Sequence, residues 1–125
     1  MDIYQENILD HHRNPRNWKL LDPYDFHASD ENPLCGDTLE ITLRVDENDR
    51  VIAVGWDGHG CAISQAAASM LGEEIIGKTL DEIKQLDKDV VLDLIGIPLS
   101  VSRVKCALLS LKVLKSAVYN LESQQ

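Results

Sequence analysis

Three cysteines, Cys35, Cys61 and Cys106, are the residues of this sequence best suited to metal or sulfur chemistry. Their odd number excludes a closed set of disulfides within one chain, and in a reducing compartment cysteines are typically buried, catalytic or metal-binding. Each lies at the boundary of a predicted element: Cys35 before a strand, Cys61 between a strand and a helix, and Cys106 early in a helix. We therefore expect the three cysteines to converge at one edge of a sheet.

Asp37 adds a candidate fourth ligand beside Cys35. Residues two apart in an extended segment point to the same side, and Gly36 between them allows the backbone to turn closely around an ion. Three thiolates and one carboxylate provide the four ligands of tetrahedral zinc, and a cysteine-rich open site also suits an iron–sulfur cluster. Because no CxxC pair is present, the alternative of small, buried, purely structural cysteines stays open.

The charge of such a site constrains where it lies. Three thiolates and one carboxylate carry −4, so either Zn²⁺ or a [2Fe–2S]²⁺ core leaves a charge of −2. Because an isolated buried charge is costly, we expect the site near the surface, with Arg103 or Lys105 close by. A helix N-terminus at Cys61 would favour its thiolate form. An exposed site suits loading and release better than permanent storage.

Two alternating segments predict an antiparallel hairpin before the helices. Residues 38–45 alternate apolar and polar side chains, a turn follows at 47–49, and residues 51–56 form the returning strand. The predicted apolar faces comprise Leu39, Ile41, Leu43 and Val45 on the first strand and Ile52, Val54 and Trp56 on the second, with Val51, Ala53 and Gly55 opposite.

The remaining pattern predicts an α+β fold. The other predicted elements are a strand near residues 24–28, helices at residues 3–13, 61–76, 90–94 and 101–121, and a short helix that begins at Thr79. Strands followed by helices indicate that the helices pack on one face of a small antiparallel sheet of about three strands. We expect residues 1–125 to form a single domain with a long C-terminal helix.

The composition limits the classes of function. Lys and Arg number 12 and Asp and Glu number 21, and the formal charge of −9 argues against nucleic-acid binding and against attachment to anionic membranes. No apolar run approaches about 18 residues, and the acidic N-terminus lacks a signal-peptide pattern. We therefore expect a cytoplasmic protein, monomeric or weakly homo-oligomeric, without nucleic-acid or membrane partners.

The segments around the cysteines resemble the U-type iron–sulfur cluster assembly scaffolds, the family that includes IscU, SufU and the N-terminal domain of NifU. The matching segments are DHHRNPRN at 10–17, NPLCGD at 32–37, GHGCAIS at 58–64, AAASM at 66–70 and RVKCALL at 103–109. The similarity extends from residue 3 to about residue 118, and the motifs occur in the family's order. Their order along one chain makes the resemblance specific.

The resemblance implies an α+β fold with one cluster- or metal-binding site. Its ligands would be Cys35, Asp37, Cys61 and Cys106, and the metal zinc or iron. A cysteine desulfurase would deliver sulfur as a persulfide to Cys106 or Cys35. The protein would then assemble a transient [2Fe–2S] cluster and pass it to apo iron–sulfur proteins or carrier proteins. In this family the aspartate tunes how readily the cluster leaves.

Two features leave a second function open. Lys105 precedes the third cysteine, as in the SufU-like branch, whereas many IscU-branch scaffolds have histidine there. The short interval from Cys61 to Cys106 resembles the IscU branch, but residues 97–102 (IPLSVS) replace its proline-rich chaperone-docking sequence. The alternative is therefore a zinc-dependent sulfurtransferase that accepts persulfide sulfur from a cysteine desulfurase.

Two further hypotheses come from other functional classes. One is a binding module with a structural zinc, and the other is a hydrolase with Cys61 as nucleophile and His59 as base. We favour a scaffold over a turnover enzyme.

Overall fold

The computed structural model describes residues 2–33 and 36–119, which form an antiparallel sheet of three strands in the order β1–β2–β3. The strands are β1 (Phe26–Asn32), β2 (Asp37–Val45) and β3 (Val51–His59). The described helices are α1 (Ile3–Arg13), α2 (Ala62–Ile75), α3 (Leu80–Lys84), α4 (Lys88–Ile95) and α5 (Val101–Tyr119). The predicted α+β fold with a long C-terminal helix is confirmed. The first strand begins and ends later than the segment predicted at 24–28.

The turn between β2 and β3 is held by one aspartate side chain. Asp46 Oδ1 accepts hydrogen bonds from the backbone N–H groups of Asn48 and Arg50, each at 2.9 Å. An aspartate that bonds to the backbone ahead of it mimics a backbone turn, which explains the reversal predicted at 47–49. Beyond the turn, the register pairs Thr38 with His59.

The prediction that Ile52 lies on the buried face of β3 is wrong at the beginning of the strand. Ile52 is 52% exposed, whereas Val51 is 1% exposed. A register shift pairs Val45 with Val51, and one extra residue in a strand reverses which side chain faces the core. Val54 and Trp56 lie beyond the shift and are buried as predicted.

Helices α2 and α5 cover one face of the sheet, α2 against β3 and α5 against β1 and β2. The apolar residues of β2 form a single core with the inner faces of these helices. The fully buried members from the two layers include Ile41, Leu43, Trp56, Leu71, Val113 and Leu114. This packing places the beginning of α5 near the beginning of β2.

Gly72 allows α2 to pack closely against the sheet. Gly72 lies within the helix, and a Cβ there would be 2.6 Å from Trp56 Nε1. A glycine inside a helix weakens it relative to alanine. Here it makes room for an indole ring that is completely buried. The missing side chain at position 72 therefore allows α2 to approach β3 closely at this point.

None of the helices in the described ranges is both long and apolar enough to cross a membrane.

Candidate metal centre

Three of the four predicted ligands meet at one end of the sheet. Asp37 is the first residue of β2, Cys61 is the N-cap of α2, and Cys106 lies in the second turn of α5. One ligand atom from each, a carboxylate oxygen and two Sγ atoms, lies within 4.8 Å of the others. Within residues 2–33 and 36–119, this is the only such group of three or more potential ligands.

The hairpin register brings Asp37 to Cys61. Because Thr38 pairs with His59, Asp37 lies across from Gly60, directly before the first turn of α2. The backbone N–H of Cys61 donates a 3.0 Å hydrogen bond to Asp37 Oδ1, and the Cys61 thiol lies 3.7 Å from Asp37 Oδ2. The carboxylate therefore contacts both the backbone and the thiol of the same cysteine.

The ligand atoms border an open cavity of about 630 Å³. Asp37 and Cys106 are buried, at 3% and 4% exposure, whereas Cys61 is half-buried and Arg103 is exposed. The cavity is lined by Gly36, Asp37, His59, Gly60, Cys61, Ser102, Arg103 and Cys106. The site thus combines buried ligands with an accessible rim.

The two basic residues predicted near the site take different positions. Arg103 lines the cavity, whereas Lys105 lines a separate groove of about 280 Å³ beside Asn32 and Pro33. Residues three apart on a helix share a face, so Arg103 lies on the side of α5 that carries Cys106. Arg103 can therefore offset negative charge at the site.

Cys35, predicted as a ligand and as a persulfide acceptor, lies outside the described residues. The structure brings Asp37, Cys61 and Cys106 together, and their role as ligands is part of the proposal below.

The donor set fits a zinc or iron ion. Thiolates suit both metals, and a Zn–S distance of about 2.3 Å implies that tetrahedral ligand atoms lie about 3.8 Å apart. The three ligand atoms lie within 4.8 Å of one another, which is close to that spacing. Small side-chain movements would therefore suffice to hold a metal, with a fourth ligand completing the tetrahedron.

Two residues that support the site were not singled out from the sequence. Ser64 is completely buried, and its hydroxyl donates a 3.1 Å hydrogen bond to the carbonyl of Cys61. Gly60 enters the sequence analysis only as part of the motif at 58–64, yet it lies against the Asp37 carboxylate. The hairpin pattern alone does not give the second contact, because without the register shift beside Val45 the strands would pair Thr38 with Gly58 instead of His59.

Comparison with known proteins identifies the family of this chain. Residues 3–125 match the NifU-like N-terminal domain. The chain belongs to this family. The resemblance inferred from the cysteine motifs is thereby confirmed.

Relatives within the NifU-like family come from both the SufU and the IscU branches. The zinc-dependent sulfurtransferase SufU of Bacillus subtilis (strain 168) is 33% identical over 93% of this chain and 89% of its own length. The iron–sulfur cluster assembly scaffold protein IscU of Haemophilus influenzae is 27% identical over 98% of each chain.

A similar crystal structure is that of FiSufU from Fervidobacterium islandicum AW-1, described as a candidate iron–sulfur cluster assembly scaffold protein for the SUF system. It superposes with a TM-score of 0.77 at 29% identity, covering 90% of this chain and 94% of the other. The overall fold is therefore shared with a protein of the SufU type.

Proposed function

We propose that this protein is an iron–sulfur cluster assembly scaffold. It receives sulfur from a cysteine desulfurase, assembles a transient [2Fe–2S] cluster and passes it to apo iron–sulfur proteins or carrier proteins. The observation that carries the proposal is the convergence of Asp37, Cys61 and Cys106 within 4.8 Å, beside an open cavity in a NifU-like chain. Cys35, two residues before Asp37, supplies the fourth ligand.

The proposed setting follows from the chemistry of the ligands. The thiols must stay reduced to bind metal or accept sulfur, and the cytoplasm keeps them so. Residues 1–125 act as one domain in this proposal, and the formal charge of −9 favours partners with basic surfaces over nucleic acid.

Sulfur transfer needs a thiolate that reaches the donor. The thiolate of Cys106 or Cys35 attacks the outer sulfur of the desulfurase persulfide, forms a new S–S bond and releases the donor cysteine as a thiolate. Each transferred sulfur becomes sulfide when an external thiol reductant supplies two electrons. Because Cys106 is 4% exposed, the donor cysteine must enter the cavity bordered by Cys61 and Arg103.

Release of the cluster follows from the donor set. Three thiolates and one carboxylate around a [2Fe–2S]²⁺ core leave −2, which Arg103 and solvent at the cavity rim partly offset. A carboxylate is a harder and weaker ligand than a thiolate for such a core. Asp37 therefore makes the cluster easier to transfer, and we expect Asp37→Ala to hold the cluster longer and to transfer it more slowly.

A second candidate function is a zinc-dependent sulfurtransferase that takes persulfide sulfur from a desulfurase. Two observations favour it: the Bacillus subtilis relative bears that name, and the spacing of the ligand atoms fits tetrahedral zinc. The hydrolase hypothesis has less support, because the described side-chain hydrogen bond of His59 goes to Thr38.

The deciding experiment is anaerobic reconstitution with iron, cysteine, a cysteine desulfurase and a thiol reductant, followed by transfer to an apo-ferredoxin. The scaffold proposal expects a visible-absorbing cluster that moves to the ferredoxin. If no cluster forms while bound zinc is retained and desulfurase turnover rises, the protein is a sulfurtransferase.

Two variants assign roles in the same assay. Cys35→Ser abolishes the acceleration of the desulfurase if the protein is a sulfurtransferase. If Asp37→Ala loses both cluster and zinc with no gain in cluster lifetime, the releasing role of Asp37 is wrong.

A further inference from the structure

The backbone at Gly60 lies directly against the carboxylate of Asp37. A Cβ built on Gly60 would be 2.5 Å from Asp37 Oδ1 and 2.6 Å from Asp37 Cγ. The same point is 2.6 Å from the hydroxyl oxygen of Ser64. Any side chain at position 60 would therefore occupy the space that holds the carboxylate.

The reason for glycine at position 60 differs from that at position 58. Gly58 has a φ of +138°, and a Cβ there would be 2.2 Å from the backbone oxygen of Thr38, so both conformation and space require glycine. Gly60 lies outside the positive-φ region, and its close neighbours are side-chain atoms. The backbone conformation at 60 thus allows alanine, and the nearest atoms that oppose a methyl group belong to the side chains of Asp37 and Ser64.

We propose that Gly60 is a positioning residue for the metal centre, because its missing side chain lets the Asp37 carboxylate lie against the backbone in one orientation. In that orientation the N–H of Cys61 holds Oδ1 at 3.0 Å, and Oδ2 lies 3.7 Å from Cys61 Sγ. The carboxylate is thereby presented to the metal through one oxygen. The inference rests on the proposed ligand role of Asp37.

Alanine at position 60 tests this inference with limited damage to the fold. The atoms that its methyl group would meet are the ends of two movable side chains, which can rotate away. The carboxylate would then lose its hydrogen bond to Cys61 and its position beside the thiol. Loss of a group that orients a metal ligand typically weakens metal binding about 10- to 100-fold.

The experiment measures zinc affinity by competition with a chelator for four proteins: the wild type, Gly60→Ala, Asp37→Ala and the double variant. We expect Gly60→Ala to weaken zinc binding about 10-fold or more in the wild-type background. We expect no further loss in the Asp37→Ala background, because the displaced carboxylate is already absent. Equal losses in both backgrounds, or no loss in the single variant, would overturn the proposal.

Two controls separate positioning from general destabilisation. Gly77→Ala places a methyl group in open space at a φ of +91°, so it strains the backbone without touching the site. It should lower the unfolding free energy and leave zinc affinity unchanged. The electronic spectrum of the Co²⁺-substituted protein reports the ligand set, and Gly60→Ala should shift it towards the spectrum of Asp37→Ala. An unshifted spectrum contradicts the positioning role.

The test stays decisive if Gly60→Ala does not fold. Removing the carboxylate relieves two of the three closest contacts and leaves only the Ser64 hydroxyl, which can rotate about its Cα–Cβ bond, so the double variant with Asp37→Ala should then recover the fold. If both proteins unfold equally, Asp37 is not the neighbour that Gly60 must accommodate, and the inference fails.

Failure of this inference is distinguishable from failure of the scaffold proposal. Measuring zinc affinity requires neither a desulfurase nor an acceptor. The dependence of the Gly60→Ala effect on the presence of Asp37, which we call coupling, is therefore measurable even in a chain that builds no cluster. Conversely, a chain that assembles and transfers a cluster without this coupling would keep its proposed function and lose only the role of Gly60.

Discussion

His11 lies buried between α1 and α2, where its protonation should control part of the stability of the fold. It is 5% exposed, with Nδ1 2.7 Å from Ser69 Oγ and Nε2 3.5 Å from Glu73 Oε1. Burial lowers the pKa of His11 below its usual 6.5, and the positive charge of Arg16 lowers it further, against the opposing effects of Glu73 and Asp10. The folded protein therefore binds this proton less tightly than the unfolded chain.

The lowered pKa of His11 makes the fold less stable in acid. Well above pH 6.5 His11 is neutral in both states, and its contribution to stability is fully present. As the pH falls below that value, the unfolded chain gains a proton first, so the free energy of unfolding decreases until the folded pKa is reached. One proton limits this slope to about 1.4 kcal/mol per pH unit.

The assay is urea unfolding of the metal-free protein followed by circular dichroism between pH 8 and pH 5. Metal must be absent because its binding is itself pH-dependent. His11→Asn keeps a polar group near Ser69 but removes the titration, so its slope below pH 6.5 should be smaller than that of the wild type. His12→Asn is the matched control, because His12 is exposed on the same helix. A His11→Asn slope equal to the wild-type slope would refute the reasoning.

Three further results are expected. Thr79→Ala should lower the urea unfolding free energy by about 1 kcal/mol, because the Thr79 side chain accepts the Glu82 N–H at 3.1 Å in a capping box at α3. Gly58→Ala should cost about 3 kcal/mol or more in the same measurement, since its methyl group would meet backbone, and a milder loss would contradict the assigned contact with Thr38. Removing metal with a chelator should leave the helical circular dichroism signal unchanged, because the hydrophobic core between sheet and helices does not include the metal ligands. Loss of that signal would show that the zinc is structural.

The hairpin shows how far local pattern determines this fold. Strict alternation in β2 predicted its buried face, and the polar run at residues 47–49 predicted the reversal. The wrong prediction at Ile52 has a non-local cause. Both backbone groups of Val51, its N–H and its carbonyl, form hydrogen bonds with a later segment of the chain. The N–H of Val51 donates to the carbonyl of Lys78, and its carbonyl accepts from Gly77, both at 2.9 Å. Contacts across 26 residues of sequence do not appear in a period-two pattern.

The site was predictable to the extent that its residues lie at element ends. The end of β3 and the beginning of α2 are adjacent in sequence, so Cys61 had to lie at an edge of the sheet. Cys106 reaches the same edge only through the packing of α5 on β1 and β2, which helical periodicity does not specify. Periodicity does distinguish the basic neighbours, because Arg103 is three residues from Cys106 and Lys105 only one.

The two glycines before Cys61 show what a sequence alone conceals. Both belong to the motif GHGCAIS, and a single sequence offers no means of separating a glycine required by backbone conformation from a glycine required by packing. In the structure the two requirements separate. A side chain at position 58 would meet the backbone of Thr38 at a positive φ, and a side chain at position 60 would meet the carboxylate of Asp37. Because a carboxylate can move and a strand cannot, substitution at 58 should act on folding, and substitution at 60 should act on the metal.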